Sequence, residues 1–424
     1  MKIKIILEVK LKTIKTYQED VYLNNLSAIV IDISFDDGIT NIICDRTIFF
    51  PTGGGQPCDN GYIDKYFIFD VYINQYGEIV HRTRDIESIE SASSLLGLAI
   101  KMKIDWDRRF RNMQRHLGEH LLSGTFYKLF SGNNKGFHMG DEYITIDIHL
   151  AHGMLTKEMI KQAEIEANKA VQMNLPVTTS FFDDRSEASL MPVRKPIDID
   201  GEISVVTAGT DNNIIDCVAC CGTHPSTTGE LGLIKIYKFE TNKGMTRIYF
   251  DVGMDAINKC IDSMDILKDV SNHLSCNEND VYKSILKKEE SETILKNSIS
   301  KLSSSLMDIK INSFYEDIIS SNIKGLYEIK EEDLDAERAN KMAYKLIDKL
   351  KSYPIIDEIL IGIITQDNNL ILASNGNISC GSLVKNNIKK YNGKGGGRDD
   401  NARGKFDDLS SLKSFLGQIR LELN

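Results

Sequence analysis

DRRFRNMQRHLGEHLLSGTFYKLF, residues 107–130, decides how this chain folds. Phe110, Met113, Leu117, Leu121 and Leu122 recur at helical spacing, so the stretch reads as one amphipathic helix ending near Ser131-Gly132. His116 and His120 sit four apart within it, which stacks both imidazoles on one face about one turn apart. Such a pair can share a metal. Alone it fits two partly exposed polar residues equally well.

Further along, Cys220-Cys221-Gly222-Thr223-His224 places a thiol and an imidazole across a glycine-containing turn, which Pro225 then ends. Two histidines from a helix with one cysteine and one histidine from a loop make a ligand set suited to Zn²⁺. Spacing leaves Cys220 and Cys221 open as the sulfur ligand, while Cys217 reads as a small buried apolar residue.

Upstream of the helix, AIVIDISF, GITNIICD, YIDKYFIFDVYI and GEIVHRT are short β-like runs bounded by Asp, Asn or Gly. They predict a β-barrel-like domain over residues 1–95. The glycine-rich segment TIFFPTGGGQPCDNG, residues 47–61, lies within it. Its consecutive glycines permit positive φ and close backbone approach. Residues 96–253 read as an α+β domain holding the metal site, with strands such as EYITIDIHL and a helix over 156–173. Residues 254–350 read as a helical linker or dimerisation segment. There Val281, Ile285, Leu295, Ile299, Leu302, Leu306 and Ile309 keep a 4-3 register interrupted by Lys288 and Glu292, which suits a core-lining helix or a coiled-coil seam. Residues 351–424 return to α/β character, with strands IIDEILIGIITQ and LILASN, a glycine-rich basic loop and a final helix.

Composition narrows the class. A chain of 424 residues is too long for one ordinary core. With 42% apolar and 26% charged residues it reads as a soluble globular protein, and no run nears the roughly 20 apolar residues of a membrane span. The opening MKIKIILEVKLK reads as a first strand rather than a signal peptide. Eight irregularly spaced cysteines are too few for a disulfide scaffold and point to a reduced, cytoplasmic setting. A net charge of −10 excludes a protein that coats nucleic acid nonspecifically. Two basic patches leave room for a structured RNA: Lys101 to Arg115 and Lys385 to Lys405.

Four ordered motifs carry a resemblance. RHLGEHLLSG, CCGTHPSTTGELG, TIFFPTGGGQPCDNG and GFHMGDEYITID match the HxxxH, CxGTH, TxFYPTGGGQPxDxG and GFHxGxEYxTID motifs of the AlaX family. These are freestanding alanyl-tRNA editing proteins related to the editing domain of alanyl-tRNA synthetase. GKGGGRDDNARGK resembles the glycine-rich motif of the DHHA1 domain found in that synthetase and in long AlaX proteins. The resemblance implies an α+β fold with a DHHA1-like C-terminal domain. It implies one Zn²⁺ per chain on His116, His120, Cys220 and His224. The expected activity is hydrolysis of the ester in Ser-tRNA(Ala), with Gly-tRNA(Ala) as second substrate. Few residues precede His116, so no aminoacylation module is expected.

The motif frame prefers Thr47 and Gln56, over Thr52, as the side chains that read the substrate hydroxyl. Gly53, Gly54 and Gly55 would lie against the terminal adenosine, and Gly395, Gly396, Gly397 and Arg398 against RNA. Thr47 also fits an ordinary strand residue, and the second glycine triplet also fits a tight turn. Zinc would activate water or position the ester; Glu119 and His138 are the nearby candidates for a base. Trp106 would anchor the helix. The expected partners are mischarged tRNA(Ala) and a second copy, through residues 254–350 and the C-terminal domain. HLGEH lacks the HExxH glutamate placement of a zinc peptidase. The competing class is a noncatalytic, zinc-stabilised tRNA-binding or regulatory protein.

Overall fold

The computed structural model describes residues 4–6, 13–86, 88–331, 333–352, 358–375 and 377–423. It divides into two units, residues 1–270 and 271–424. Of the first strand expected over residues 1–12, Lys4–Ile6 pairs antiparallel with Asn25–Asp36, and the remainder lies outside the described residues. Among the described residues no helix is long and apolar enough to cross a membrane.

The first unit begins with a nearly closed sheet. Its strands run in the order Tyr66–Ile68, Gly61–Ile63, Ala99–Ile104, Asn25–Asp36, Ile39–Cys44, Ile79–Thr83 and Asp70–Ile73. The two outer strands are consecutive in sequence, separated only by Phe69, whose N–H donates to the Arg82 carbonyl at 3.1 Å. That bond draws the edges together and removes most of the exposed strand edge. Val30, Ile42, Ile63, Ile68, Val71 and Ile100 fill the interior. The strand Ala99–Ile104 alternates outward and inward, with Ile100, Met102 and Ile104 buried. The barrel therefore extends to residue 104, not 95 as expected, because AIKMKI has the period of a half-buried strand.

Asp105 caps the helix Trp106–Phe130, its side chain accepting from Arg108 N–H at 3.1 Å. The helix ends at Ser131, which takes a φ of 53°. The helix expected as amphipathic is buried on most sides. A four-stranded sheet, in the order Asn133–Met139, Ile144–His149, Met245–Val252 and Ile234–Asn242, covers one flank. The three-stranded sheet Val177–Phe182, Ile203–Thr210 and Asn213–Ala219 lies on another, together with the helix Lys157–Gln172. Two glycines allow this crowding. A Cβ at Gly118 would fall 2.4 Å from Val252 Cγ2, and one at Gly124 would fall 2.3 Å from the Ile215 carbonyl oxygen. Trp106 stacks on Phe110 and packs on the barrel core, the anchoring role expected of it.

In the second unit the helix Val281–Ser320 leads to a five-stranded sheet: Gly325–Lys330, Ile359–Ile364, Asn369–Ser374, Asn401–Phe406 and Gly393–Gly397. Ile359, Ile361 and Ile363 pack on one face with the helix Ala336–Lys351, and Leu360 and Leu370 on the other with Leu409–Leu423. Both faces being covered explains why those central strands are apolar at nearly every position. Gly325–Lys330 runs parallel to Ile359–Ile364. The stretch to residue 350 is thus no helical linker throughout; its last part, from about 325, is built into the α/β unit. The glycine-rich basic segment is the edge strand Gly393–Gly397, not a loop. Side chains at Gly395 or Gly397 would collide with the neighbouring strand's backbone.

Along Val281–Ser320, Met307, Ile311 and Ile318 enter the core. Of the expected register, Val281 is buried, whereas Ile285, Leu295, Ile299, Leu302, Leu306 and Ile309 are exposed.

Candidate metal centre

The helix Trp106–Phe130 and the turn after Asn213–Ala219 bring four side chains to one point. The ligand atoms of His116, His120, Cys220 and His224 all lie within 4.8 Å of one another. Cys220 Sγ is 3.4 Å from His116 Nε2 and 3.7 Å from His224 Nε2. Three imidazole nitrogens and one sulfur form a donor set that could hold a metal ion such as Zn²⁺.

Each helical imidazole is fixed from behind. His116 Nδ1–H donates to Gln56 Oε1 at 2.9 Å, and His120 Nδ1–H donates to Asp216 Oδ2 at 3.0 Å. The acceptors assign the proton to Nδ1 and leave Nε2 free to bind a metal. Asp216 is itself held by Arg194, whose Nε reaches Oδ1 at 2.6 Å. Carboxylate or amide partners behind ligating histidines set ring orientation and ligand basicity. His224 Nδ1 is buried without a partner, so its ring is held by packing between the other two imidazoles.

Charge in the cage follows the same pattern. Burial alone would raise the Cys220 thiol, but His116, His224 and His120 around it hold it well below its usual range. Burial would lower His120, yet Cys220 and Asp216 keep it well above its ordinary value. Burial pushes His224 down to about 4. A thiolate and a neutral imidazole are the forms that bind metal. Cys217 is buried, takes a hydrogen bond from Thr207, and stands outside the cage. Cys221 is exposed, its Sγ 3.0 Å from where a Gly54 Cβ would be. The geometry therefore selects Cys220.

Beside the cage opens a cavity of about 420 Å³, lined by Gly54, Glu119, Lys135, Arg194 and Cys221 among others.

The model for the "Threonyl and Alanyl tRNA synthetase second additional domain" matches residues 203–249, and that for the "DHHA1 domain" matches residues 322–424. The alanyl-tRNA editing protein AlaX-L of Pyrococcus horikoshii is 28% identical over 93% of this chain and 94% of that protein. The chain is similar to the AlaX family over nearly its whole length. Its likeness extends to alanine–tRNA ligases: that of Methanobrevibacter smithii is 28% identical over 94% of this chain, and that of Pyrobaculum neutrophilum 31% over 58%. The chain spans 44% and 28% of the length of those two ligases.

Against the AlaX motif frame, the four metal-binding candidates converge and the two hydroxyl-reading candidates do not face the cavity. Thr47 is fully buried; its hydroxyl donates to His81 Nε2 at 2.8 Å and accepts from Phe49 N–H at 3.0 Å. Gln56 is fully buried too. Its amide donates to Thr223 Oγ1 at 2.8 Å, while its oxygen accepts from His116 and from Thr223 N–H at 3.1 Å. Both polar atoms of Gln56 are engaged inside the protein, and its oxygen positions His116.

Of the first glycine triplet only Gly54 lines the cavity. Gly54 and Gly55 have φ of 58° and 83°, and a Gly55 Cβ would strike the Phe137 ring at 2.6 Å. A tight turn under Phe137 accounts for Gly55 without any ligand. His138 is exposed and lies off the cavity, whereas Glu119 is buried and lines it. Asp216, Arg194 and Asn134 were invisible to spacing arguments, because their partners lie 15 to 96 positions away. The aspartate shortly before CCGTH and the lone RK pair were the only signals.

Proposed function

We propose that this chain is an editing hydrolase that cleaves the ester of wrongly charged alanine tRNA, serine first and glycine second, at a zinc site. The observation that carries this reading is the convergence of His116, His120, Cys220 and His224 beside the 420 Å³ cavity. The alanyl-tRNA editing protein AlaX-L aligns with nearly the whole chain.

The physical need is simple. A charging site built for alanine gains only about 1–3 kcal/mol of discrimination per small group, so serine and glycine pass. A bound zinc would supply Lewis-acid polarisation and a fixed positive charge beside the ester. The chain's own residues do the rest. Asp216 and Gln56 hold two ligand rings in register, and Phe137 stacks on His116 at 5.4 Å between ring centres. Lys135, Lys195 and Arg194 make one wall of the cavity positive, suited to a nucleotide end.

The same reading extends to partners. The exposed Arg398, beside the edge strand that carries Lys394, is proposed to meet tRNA. The exposed apolar residues along Val281–Ser320 are proposed to pair with a second copy. A cytoplasmic setting follows from a tRNA substrate.

The test is direct. Seryl-, glycyl- and alanyl-charged alanine tRNA are incubated with the zinc-loaded protein, with and without chelator. Rapid loss of the serine label with alanine spared is the expected result. Tight tRNA binding without release would instead establish a noncatalytic tRNA-binding protein, as would equal turnover by a Cys220→Ala, His224→Ala double variant. Neutralising Lys394, Arg398 and Arg403 should flatten the salt dependence of binding.

A further inference from the structure

The cavity contains a carboxylate that the metal cage does not use. Glu119 is 7% exposed and packs between Ser123, one turn further along its helix, and Asn134 on the neighbouring strand. Both partners are neutral donors and both serve the same oxygen. The Ser123 hydroxyl reaches Oε1 at 2.6 Å and the Asn134 amide at 2.7 Å. Asn134 also donates to Ser123 Oγ at 3.0 Å and accepts from Gly136 N–H at 3.0 Å, so the carboxylate is held in one direction. Oε2 takes no hydrogen bond from any described residue. It lies 4.0 Å from His120 Nε2, the nitrogen that faces the metal position, and Glu119 is one of the residues that line the cavity.

No lysine or arginine among the described residues pairs directly with this group. Arg194 is committed to Asp216 through Nε and Nη2. A largely buried carboxylate with only neutral donors is costly unless a cation meets it. Glu119 lines the cavity where a ligand would lie, beside the metal position, so a cationic group on that ligand suits its second oxygen.

We propose that Glu119 Oε2 binds the α-ammonium group of the aminoacyl ester, so that the site cuts only esters bearing a free amino group. This rests on the editing reading above. In an α-aminoacyl ester the ammonium nitrogen lies roughly 2.5 Å from the carbonyl carbon, from standard N–Cα and Cα–C lengths and angle. An ester placed at the cage edge thus carries its ammonium into reach of an oxygen 4.0 Å from His120 Nε2. The role is one of recognition and positioning, and it separates aminoacyl ends from blocked or non-amino acyl ends.

The test compares seryl-tRNA(Ala) with N-acetylseryl-tRNA(Ala) in wild type and Glu119→Gln. A hydrogen bond to a charged group corresponds to a roughly ten- to hundredfold preference for the free amine. The expected result is that preference in wild type and its collapse towards unity in Glu119→Gln, through loss of the seryl rate alone. Zinc content and melting temperature show that the variant is folded, and Glu119→Asp, which withdraws the carboxylate by one methylene, should fall between.

Equal falls in both rates would overturn the proposal and assign Glu119 to proton transfer or structure. So would a wild type indifferent to acetylation. Calorimetric binding of 3′-deoxy-3′-(L-serylamino)adenosine and its N-acetyl form gives a readout independent of turnover. If wild type hydrolyses neither ester, the editing reading fails by itself. The binding preference, and its loss in Glu119→Gln, then decides the role of Glu119.

Discussion

Replacing Asp59 by asparagine should weaken the first unit more than any change at its surface, because of what faces that carboxylate. Asp59 and Arg109 are both completely buried. Arg109 Nε lies 2.9 Å from Oδ1 and 3.0 Å from Oδ2, and Nη2 makes a further short contact with Oδ2. Asp59 Oδ2 also accepts from Phe50 N–H at 2.6 Å, while Arg109 donates to the Val21 and Ile48 carbonyls. The pair therefore ties the helix Trp106–Phe130 to the glycine-rich segment of the barrel.

Asparagine keeps the shape and one acceptor but leaves the guanidinium uncompensated in the interior. Breaking a buried pair from one side costs about 3–5 kcal/mol. That is a large part of the ~5–15 kcal/mol by which domains are stable. For a domain of about 150–250 residues it corresponds to a melting temperature lower by roughly 6–20 °C. Calorimetry on zinc-saturated wild type and Asp59→Asn measures it. Adding Arg109→Met should recover part of the loss by removing the stranded charge. Recovery stays partial because the Val21 and Ile48 carbonyls then lose their donor. A variant melting within 2 °C of wild type would refute the reasoning, and so would a double variant losing the sum of both single changes.

Three further outcomes follow from other parts of the molecule. Burial lowers His81 to about 4, against 6.5 when unfolded, so between those values the unfolded chain binds the extra proton. Its contribution is full above pH 6.5 and is lost as pH falls towards 4; by pH 5 about 2 kcal/mol of it is gone. Urea denaturation at pH 7 and pH 5 should show a smaller difference in His81→Gln, and an unchanged one counts against the assignment. Asp216→Asn should weaken zinc binding about 10- to 100-fold, measured by chelator competition, and undiminished affinity would remove Asp216 from the site's support. Leu302→Glu with Leu306→Glu should convert a dimer to a monomer in sedimentation with helicity retained; a wild type already monomeric at micromolar concentration ends that idea.

The local periodicities were readable and the long-range partners were not. The pattern of Leu117, Leu121 and Leu122 located the metal-bearing helix, and the alternation in GITNIICD and GEIVHRT located barrel strands, because both signals repeat within a few residues. Ala99–Ile104 carried the same alternation but was assigned to the next domain, since nothing local states which sheet a strand joins. Gly325–Lys330 was lost inside a helical stretch for the same reason: its pairing partner, Ile359–Ile364, lies beyond an intervening helix.

At the site, four-residue spacings picked out two pairs of side chains that the structure brings together. They could not choose between adjacent cysteines, a choice that depends on which sulfur turns inward at Gly222. The motif frame drew attention to Thr47 and Gln56 but not to the direction in which they face. Both point away from the cavity, because each satisfies a buried histidine. Glu119 was legible only as a residue between ligands, and its partner Asn134 supplied its meaning.

Gly118 lies between the two helical histidines and Gly124 one turn beyond the second, and each touches its neighbour with bare backbone where other residues would interpose a side chain. The gauge between the helix and the strand that leads to Cys220 is therefore set at Gly124 by a hard carbonyl contact, and that to the strand Met245–Val252 at Gly118 by a methyl contact, rather than by long side chains that can adjust. Drift in the surrounding core can alter stability without altering the bite of the cage. Conversely, a single methyl group at either glycine acts as a shim, spreading the ligands while leaving all four chemically intact. Changes of that kind would leave every signature motif in place and still end metal binding.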